Sequence, residues 1–479
     1  MRNIAVKILF LNVLSTNNQP KRLQMKNKNN LTIFWSFFIV LLLIFETNLL
    51  PQQKQYNVKH PDWSYNQTIY EVNLRQYSVE GTFKAFEKDL PRLKEMGVGI
   101  IWLMPIHPIG ELNRKGTLGS QYSVKDYFAI NPEFGTAEDF RSLVKKTHEL
   151  GMYLIIDWVA NHCAWDNKLL EEHPEWFTKN AEGKFVPPVE DWHDVVDFDY
   201  DNKNLWKYMT EALKFWVHEY DIDGFRCDVA GMMPTEFWNQ ARAELDEIKP
   251  VFMLAEWETP EMHEKAFDMT YSWGDYDIFN SIVKKEKNAA DLFEFYENEK
   301  LAYPKNAFRM RFTSNHDKNS WEGSEFERLG KAAETFAVLT VMVPGMPLIY
   351  NGQEAGLNKR LEFFEKDPIE WKEHKFTDLY SKLFHLKMNS SALQNGERGA
   401  ELERVQALDD ATIFSFLRQN DNEKILAVFN LSDSAKNFNL QHPNLSGDYT
   451  DYFTGEKMSF SNSINSSLDR WGYKIFIKD

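Results

Sequence analysis

Four short apolar runs of this 479-residue chain end on polar residues that can do acid, base and nucleophilic chemistry. The run from Tyr153 to Val159 carries Asp157, with Asn161 and His162 just beyond it, and Gly224 to Val229 carries Arg226 and Asp228. Phe252 to Trp257 carries Glu256, and Arg309 to Ser314 is followed by Asn315, His316 and Asp317. Taken singly, each could be a helix cap, a structural ion pair or a satisfied core histidine. Gathered at one end of a sheet they are an expensive way to stabilise a fold, because buried charges must be desolvated. No glycine-rich phosphate loop, cysteine nucleophile or zinc spacing accompanies them. The chemistry they fit is glycoside cleavage, in which one carboxylate attacks the anomeric carbon and a second carboxyl protonates the leaving oxygen. Arg226 lies two positions before Asp228 on one strand, hence on the same face, and its fixed charge is expected to keep Asp228 ionised. Glu256, beside Trp257 in a drier setting, is expected to hold its proton near neutral pH.

Elements of the right kind exist to position these residues. From about Asn66 to Ser390 short β-branched, apolar runs alternate with amphipathic helical stretches. Eight strands are expected: Ile69 to Leu74, Gly99 to Pro105, Tyr153 to Val159, Gly224 to Val229, Phe252 to Trp257, Met269 to Ser272, Arg309 to Ser314 and Pro347 to Asn351. Helices are expected between them, among them Thr136 to Glu149, Leu205 to His218, Pro234 to Ile248 and Leu329 to Met342, with Thr136 and Asn204 as capping residues. The repeat predicts an α/β fold, a closed (β/α)8 TIM barrel over residues 60–390, whose sites lie at the C-terminal ends of the strands. The connection after the third strand is too long for an ordinary βα loop and predicts a small inserted lobe over 163–203. Beyond it, runs such as TIFSFL and KILAVFNL predict an antiparallel β-sandwich domain over 393–479.

Composition narrows the partners. Against 55 Lys+Arg stand 71 Asp+Glu, a net charge of −16, which disfavours nucleic acid and anionic membranes. The 36 Phe, 15 Trp and 19 Tyr include a surplus that could stack on sugar rings. Two cysteines, Cys163 and Cys227, are too few for a disulfide scaffold or a four-thiolate metal site and read as buried thiols. Six basic residues precede the first acidic one, and Leu31 to Phe45 is uncharged and apolar, extending to Leu50. Residues 1–50 therefore read as an export signal, either a secretory signal peptide or a membrane tether through 31–50, and the expected location is periplasmic, secreted or membrane-anchored.

The segments DWVANH at 157 to 162, GFRCD at 224 to 228, MLAEW at 253 to 257 and FTSNHD at 312 to 317 resemble the four signature regions of the α-amylase family, glycoside hydrolase family 13. QYSVKDYFAINPEFGT at 121 to 136 and GMPLIYNGQE at 345 to 354 support the likeness, which covers about residues 60 to 390. Position by position, the resemblance implies Asp228 as nucleophile, Glu256 as general acid and base, and Asp317 as the transition-state stabiliser. It implies that Tyr122, Asp157, His162, Arg226 and His316 bind the substrate, with Tyr122 stacking beneath the sugar. It also places a calcium ligand at Asp197, working with Asn161; no organic cofactor is implied.

The implied reaction is cleavage, with retention, of α-1,4-glucosidic bonds in starch-derived malto-oligosaccharides. An α-glucosidase or transglycosidase of the same family is the nearest alternative, and a noncatalytic membrane-anchored scaffold a distant one, because the three carboxyl residues are intact. The chain departs from many amylases after Asp228, where it reads Val229, Ala230, Gly231, Met232 in place of a Lys-His pair, so the leaving-group side is expected to bind loosely. Trp176 and Trp192, within the inserted lobe, are either stacking platforms or the lobe's own core.

Overall fold

A computed structural model describes residue 56 and residues 58–478. Eight parallel strands close into a barrel: β1 (Ile69–Val72), β2 (Ile100–Leu103), β3 (Tyr153–Trp158), β6 (Gly224–Cys227), β7 (Phe252–Ala255), β8 (Met269–Tyr271), β9 (Phe308–Arg311) and β10 (Met346–Tyr350). They pair in chain order, and β1 closes on β10 with Ile69 opposite Leu348. Every expected strand is present, and five of them end two or three residues earlier than the apolar runs suggest. At those C-terminal ends the backbone leaves the ladder to aim side chains into the barrel mouth.

Alternation along each strand separates two cores. Ile100, Trp102, Ile155, Leu254, Met269, Tyr271 and Met310 fill the barrel interior. Ile101, Ile156, Trp158, Phe225, Cys227 and Met253 face outward into the helix layer. Both cysteines are buried free thiols.

The helices follow their capping chemistry. Ala137–Glu149 opens with a capping box in which Thr136 and Asp139 satisfy each other's backbone amides. Lys203–Tyr220 begins earlier than expected, because Asn202 rather than Asn204 accepts the free amide, from Asn204 itself. The expected helix from Leu329 is broken: Gly330, at φ 53°, ends one helix, a 3-10 turn spans Gly330–Ala332, and the next helix runs Ala333–Met342. Every residue of that last helix but Glu334 is buried, and so it carries no amphipathic stripe.

Between β3 and the Lys203–Tyr220 helix, β4 (His162–Ala164) and β5 (Val195–Asp197) form an antiparallel ribbon with His162 opposite Asp197. A short helix, Leu169–Glu172, and a 3-10 turn, Pro174–Trp176, lie between its strands. After the barrel come β11 (Leu402–Arg404), β12 (Gln406–Ala407), β13 (Ile413–Gln419), β14 (Lys424–Asn430), β15 (Lys436–Gln441), β16 (Gly447–Asp451), β17 (Lys457–Phe460), β18 (Ser463–Leu468) and β19 (Tyr473–Lys478). They make a six-stranded sheet, β11-β13-β14-β19-β16-β17, and a three-stranded one, β12-β15-β18. Leu417, Val428, Phe438 and Leu440 fill the core they share. The segment 1–50, read as an export signal or tether, lies outside the described residues; among the described residues no helix is long and apolar enough to cross a membrane.

One glycine is required for the site. Gly224 opens β6 at φ 146°, and a Cβ there would lie 1.9 Å from the Phe252 carbonyl oxygen of the neighbouring strand. No side chain can enter that gap without parting β6 from β7, the two strands that carry Arg226, Asp228 and Glu256.

Candidate active site

Register brings the charged residues together. Asp157 on β3 is the pairing partner of Arg226 on β6, so both side chains face the barrel interior at the same level. The Arg226 guanidinium donates from Nη1 to Asp157 Oδ1 at 2.8 Å and to Asp228 Oδ1 at 2.9 Å. Its Nη2 lies 2.9 Å from Glu256 Oε2, an ion-pair contact off the hydrogen-bond line. Nε donates to the Tyr271 hydroxyl at 3.3 Å, and the rings of Trp102, Tyr122 and Tyr271 surround the guanidinium at 5.2, 5.7 and 5.7 Å. One fully buried cation thus serves three carboxyl groups.

Its three partners differ in what else they meet. Asp157, wholly buried, also accepts from the Trp102 indole N–H and the Tyr122 hydroxyl. Glu256 Oε2 accepts from the Val229 backbone N–H at 2.8 Å. Asp228 and Glu256 both line a cavity of about 250 Å³ at the barrel mouth, together with Tyr122, His162, His316 and Asp317. Asp157 and Arg226 do not line it. They are buried beneath the cavity floor, where Arg226 donates to Asp157 and Asp228, and Asp157 accepts from Tyr122.

A second chain of contacts fixes the protons on the opposite wall. Asp157 can only accept from Tyr122, so the Tyr122 oxygen must accept from His316 Nε2, 2.9 Å away. His316 Nδ1 meets Glu71, a buried carboxylate on β1. The imidazole is therefore a donor at both nitrogens. Burial alone would lower its pKa, but Asp317 and Glu71 outweigh that and hold it up at about 9. Asp317 Oδ2 is 3.4 Å from His316 Nε2, and its side chain is 39% exposed, free to meet a ligand. His162 is the opposite case: burial lowers it to about 4, leaving a neutral ring edge-on to Trp192 at 5.5 Å.

All three carboxyls that share Arg226 are harder to ionise than free ones. Burial pushes Asp228 and Asp157 up to about 6 while Arg226 pulls each back. Glu256 is raised furthest, to about 7, by burial first and then by the charges of Asp228 and Asp317, against the pull of Arg226. The expectation that Arg226 simply keeps Asp228 ionised is thus half right. The guanidinium favours the carboxylate, but one cation shared three ways does not cancel desolvation. The order still separates the two groups flanking the cavity, with Glu256 the last to lose its proton.

The walls include residues that no motif announced. Trp321, 55% exposed, stands on a π-helical turn, Lys318–Glu322, directly after Asp317, and its ring meets Phe363 at 5.3 Å and Phe364 at 5.9 Å. Phe363 in turn stacks on Tyr122 at 6.3 Å, giving a continuous aromatic wall from the floor to solvent. Facing it, Lys115 donates to the Asp191 carbonyl at 2.8 Å and pairs with Asp194 at 2.9 Å, tying the loop after β2 to the inserted lobe. The two lobe tryptophans divide: Trp176 is buried, stacked on His173 at 3.9 Å, whereas Trp192 lines the cavity. Glu71 and Trp321 had one faint signal each, an acid inside an apolar strand and an aromatic close after a charged strand end.

Asn161 and Asp197 are also brought together. The Asn161 carbonyl accepts from the Phe198 N–H at 3.1 Å, and its carboxamide lies 3.3 Å from His162 Nδ1. Burial, and the nearby charge of Asp199, raise the Asp197 carboxyl. Oxygen donors in such a place suit a hard cation, but two side chains fall short of the six to eight oxygens calcium takes. Among the described residues no group of three or more His, Cys, Asp and Glu could hold a metal ion.

Comparison with known proteins gives a consistent answer. Residues 58–383 match the family model for the alpha amylase catalytic domain, and residues 407–472 that for the alpha amylase C-terminal all-beta domain. A noncanonic maltogenic alpha-amylase, AmyB, from Thermotoga neapolitana superposes with a TM-score of 0.80 at 34% identity, over 86% of this chain and 98% of that one. An alpha-amylase from Lactobacillus plantarum does so with a TM-score of 0.78 at 31% identity, over 87% of this chain and all of that one. Alpha-amylase 2 from Dictyoglomus thermophilum is 25% identical over 450 residues, covering 85% of this chain and 75% of that protein.

The raised carboxyl pKa values carry a stability consequence. A carboxyl with a folded-state pKa near 7 and an unfolded value near 4 costs nothing at pH 3. The cost grows from pH 4 to pH 7 as the unfolded chain ionises, and it is complete above pH 7. Glu256→Gln is therefore expected to be more stable than the parent at pH 8, by on the order of 1–3 kcal/mol, with no difference at pH 3.5. Calorimetry at the two pH values measures this; an equal or lower Tm at pH 8 contradicts it.

Proposed function

The chain belongs to the α-amylase family of glycoside hydrolases, and from that premise we propose that it cleaves α-1,4-glucosidic bonds of malto-oligosaccharides by double displacement. In this reading the Asp228 carboxylate attacks the anomeric carbon while Glu256 gives its proton to the leaving oxygen. Water, deprotonated by the now ionised Glu256, then releases the glycosyl group from Asp228. The observation that carries the reading is the one guanidinium holding both carboxyls at the edge of one cavity. Asp317, exposed beside a charged His316, grips the hydroxyls of the sugar as its ring flattens toward the oxocarbenium state. Tyr122 supplies the stacking face and His162 a neutral ring nitrogen. Asp157 and Arg226 orient the floor from below.

Retention is measured by proton NMR on maltotriose, with α-anomeric product expected at early times and β-anomer overturning the mechanism. Asp228→Asn and Glu256→Gln are each expected to lower kcat by at least about a thousandfold while the protein stays folded. Activity on malto-oligosaccharides is expected to rise with pH through about 6, as the nucleophile ionises, and to fall above about 7, as Glu256 loses its proton.

Transglycosylation is a second reading, supported by an apolar leaving-group edge where Met232 is 41% exposed and Gly231 presses on the Trp257 ring. Such an edge favours a sugar over water as acceptor. Chromatography of products from maltotriose and maltoheptaose separates the two readings, since products longer than the substrate require transfer.

Trp192 and the Trp321 wall offer stacking beyond the reacting sugar. Trp192→Ala and Trp321→Ala are each expected to raise KM for maltoheptaose by about fivefold and to change KM for maltose by less than about twofold, since one lost stack is worth roughly 1 kcal/mol. Equal effects on both substrates would remove these residues from the subsites.

We further propose that calcium binds at Asn161 and Asp197, with backbone and water oxygens completing the shell, and that it pins the inserted lobe to the barrel. Metal analysis of purified protein is expected to find calcium, and chelation to lower the Tm; no calcium and an unchanged Tm reject the site. The basic and apolar residues 1–50 support export, and fractionation of the native cell is expected to place the activity outside the cytosol; a wholly cytosolic activity overturns it.

A further inference from the structure

Val229, immediately after Asp228, adopts φ 37° and ψ 44°. Five non-glycine residues among those described have positive φ: Asn113, Asp221, Val229, Lys285 and Trp471. Val229 is the β-branched one, and for such a side chain the left-handed region is a true outlier. If the chain needed only to turn here, glycine would turn it without strain.

The flanking contacts show what holds the turn. The Asp228 N–H extends the β3–β6 ladder to the Trp158 carbonyl at 2.9 Å, and the Trp238 indole donates to the Ala230 carbonyl at 2.9 Å. The Met232 N–H closes back on the Val229 carbonyl at 2.8 Å. Gly231 lies so close to Trp257 that a Cβ would stand 2.0 Å from the indole Cε2. With both neighbours fixed, the strained residue is the one whose amide must point inward, and that amide meets Glu256 Oε2 at 2.8 Å. Arg226 Nη2 approaches the same oxygen at 2.9 Å.

We infer that Val229 is a positioning residue: its strained turn aims the backbone N–H at Glu256 Oε2 and so confines the transferable proton of Glu256 to Oε1. This rests on the role proposed for Glu256 above. An oxygen that already accepts from an amide and faces a guanidinium is a poor seat for a proton, so the O–H forms on Oε1 and faces the leaving group. In the first step the Oε1–H proton passes to the glycosidic oxygen as the bond from C1 to that oxygen breaks and the bond from Asp228 to C1 forms. Glu256 is left as a carboxylate, with its charge held at Oε2. A β-branched residue resists the peptide flip that glycine would permit, which keeps the amide in place through both steps. The charged groups facing Glu256 are Arg226, Asp157, Asp228 and Asp317, and none of them is altered by a change at Val229.

The test compares two substrates and two variants. α-Maltosyl fluoride needs little help from an acid, because fluoride leaves readily, whereas malto-oligosaccharides need the proton. Val229→Gly, which relieves the strain, is expected to fold with a Tm at or above that of the parent. It is expected to lose about tenfold in kcat on maltotriose and less than about twofold on α-maltosyl fluoride. Its alkaline limb is expected to move to higher pH, because a hydrogen bond to the ionised form is weakened. Val229→Ile is expected to behave as the parent. Equal losses on the two substrates, or unchanged maltotriose kinetics with an unmoved alkaline limb, overturn the inference. Failure of the parent to turn over either substrate would instead count against the proposed function.

Discussion

A single buried cation organises this molecule. The Arg226 guanidinium, wholly inside the barrel, is the contact shared by Asp157, Asp228 and Glu256, which arrive on three adjacent strands. Removing it would strand three carboxyls in a dry interior, a far larger loss than the pairs contribute when intact. The register of β3, β6 and β7 is thus held by electrostatics as well as by the apolar layers below. A shift of one residue in any of these strands would turn its carboxyl or its arginine into the helix layer. Burial raises Glu256, and one positive charge shared among three carboxyls does not offset it, so the group holds its proton up to about pH 7. The same arrangement that taxes stability therefore supplies the acid.

Much of this was legible in the sequence because it is local. Eight β-branched runs separated by helical stretches specify a closed parallel barrel, and each strand end displays its polar residues within a few positions. What stayed hidden was non-local. Glu71 acquires meaning only through His316, far along the chain, and the wall of Trp321, Phe363 and Phe364 assembles from two separate loops. Asp157 and Arg226 were placed at strand ends, but their full burial beneath Asp228 and Tyr122 was not legible, because a strand pattern gives the face and not the depth. Trp176 and Trp192 look alike in sequence; only the lobe's packing consigns one to the core and the other to the cavity. The break at Gly330 was missed because a helix buried at every residue but one shows no periodicity to interrupt.

The mouth of the barrel is built from loops, yet it is tied at several points. The loop after β2 turns through Asn113, Gly116 and Gly119 at positive φ, then is fastened on one side by Lys115 to Asp194 and on the other by Glu365, which accepts from the Thr117 N–H and hydroxyl. Lys115 is 23% exposed and Asp194 6%, so the tie is screened from water and is worth more than a surface pair. Preorganisation of this kind costs folding entropy once and spares it at each turnover, when the walls would otherwise have to be gathered around a flexible sugar chain.

Glu256 is the residue that must not drift, since an error of about 1 Å in a proton donor is felt directly in rate. Inside the barrel it is fixed by Arg226 and by the Val229 amide. Two residues on, Glu258 reaches a different network, accepting from Arg309 Nη2 at 2.6 Å and from the Gly274 N–H at 3.4 Å. Arg309 and Arg311, on β9, are there bound to Glu299, and Arg311 to Asp275. The segment from Glu256 to Glu258 is therefore clamped by opposite charge at both ends, once toward the cavity and once toward the helices. The outer clamp uses two arginines for three carboxylates and the inner one arginine for three. Within the outer network Arg311 and Arg309 overcome burial and drive Glu299 down to about 2, while burial lifts Asp275 to about 7, as it does Glu256 in the inner one. Two clusters of the same residue types, a few residues apart in sequence, differ in what they face: Glu256 of the inner one lines the cavity, whereas Glu258 of the outer one accepts from Arg309 and the Gly274 amide.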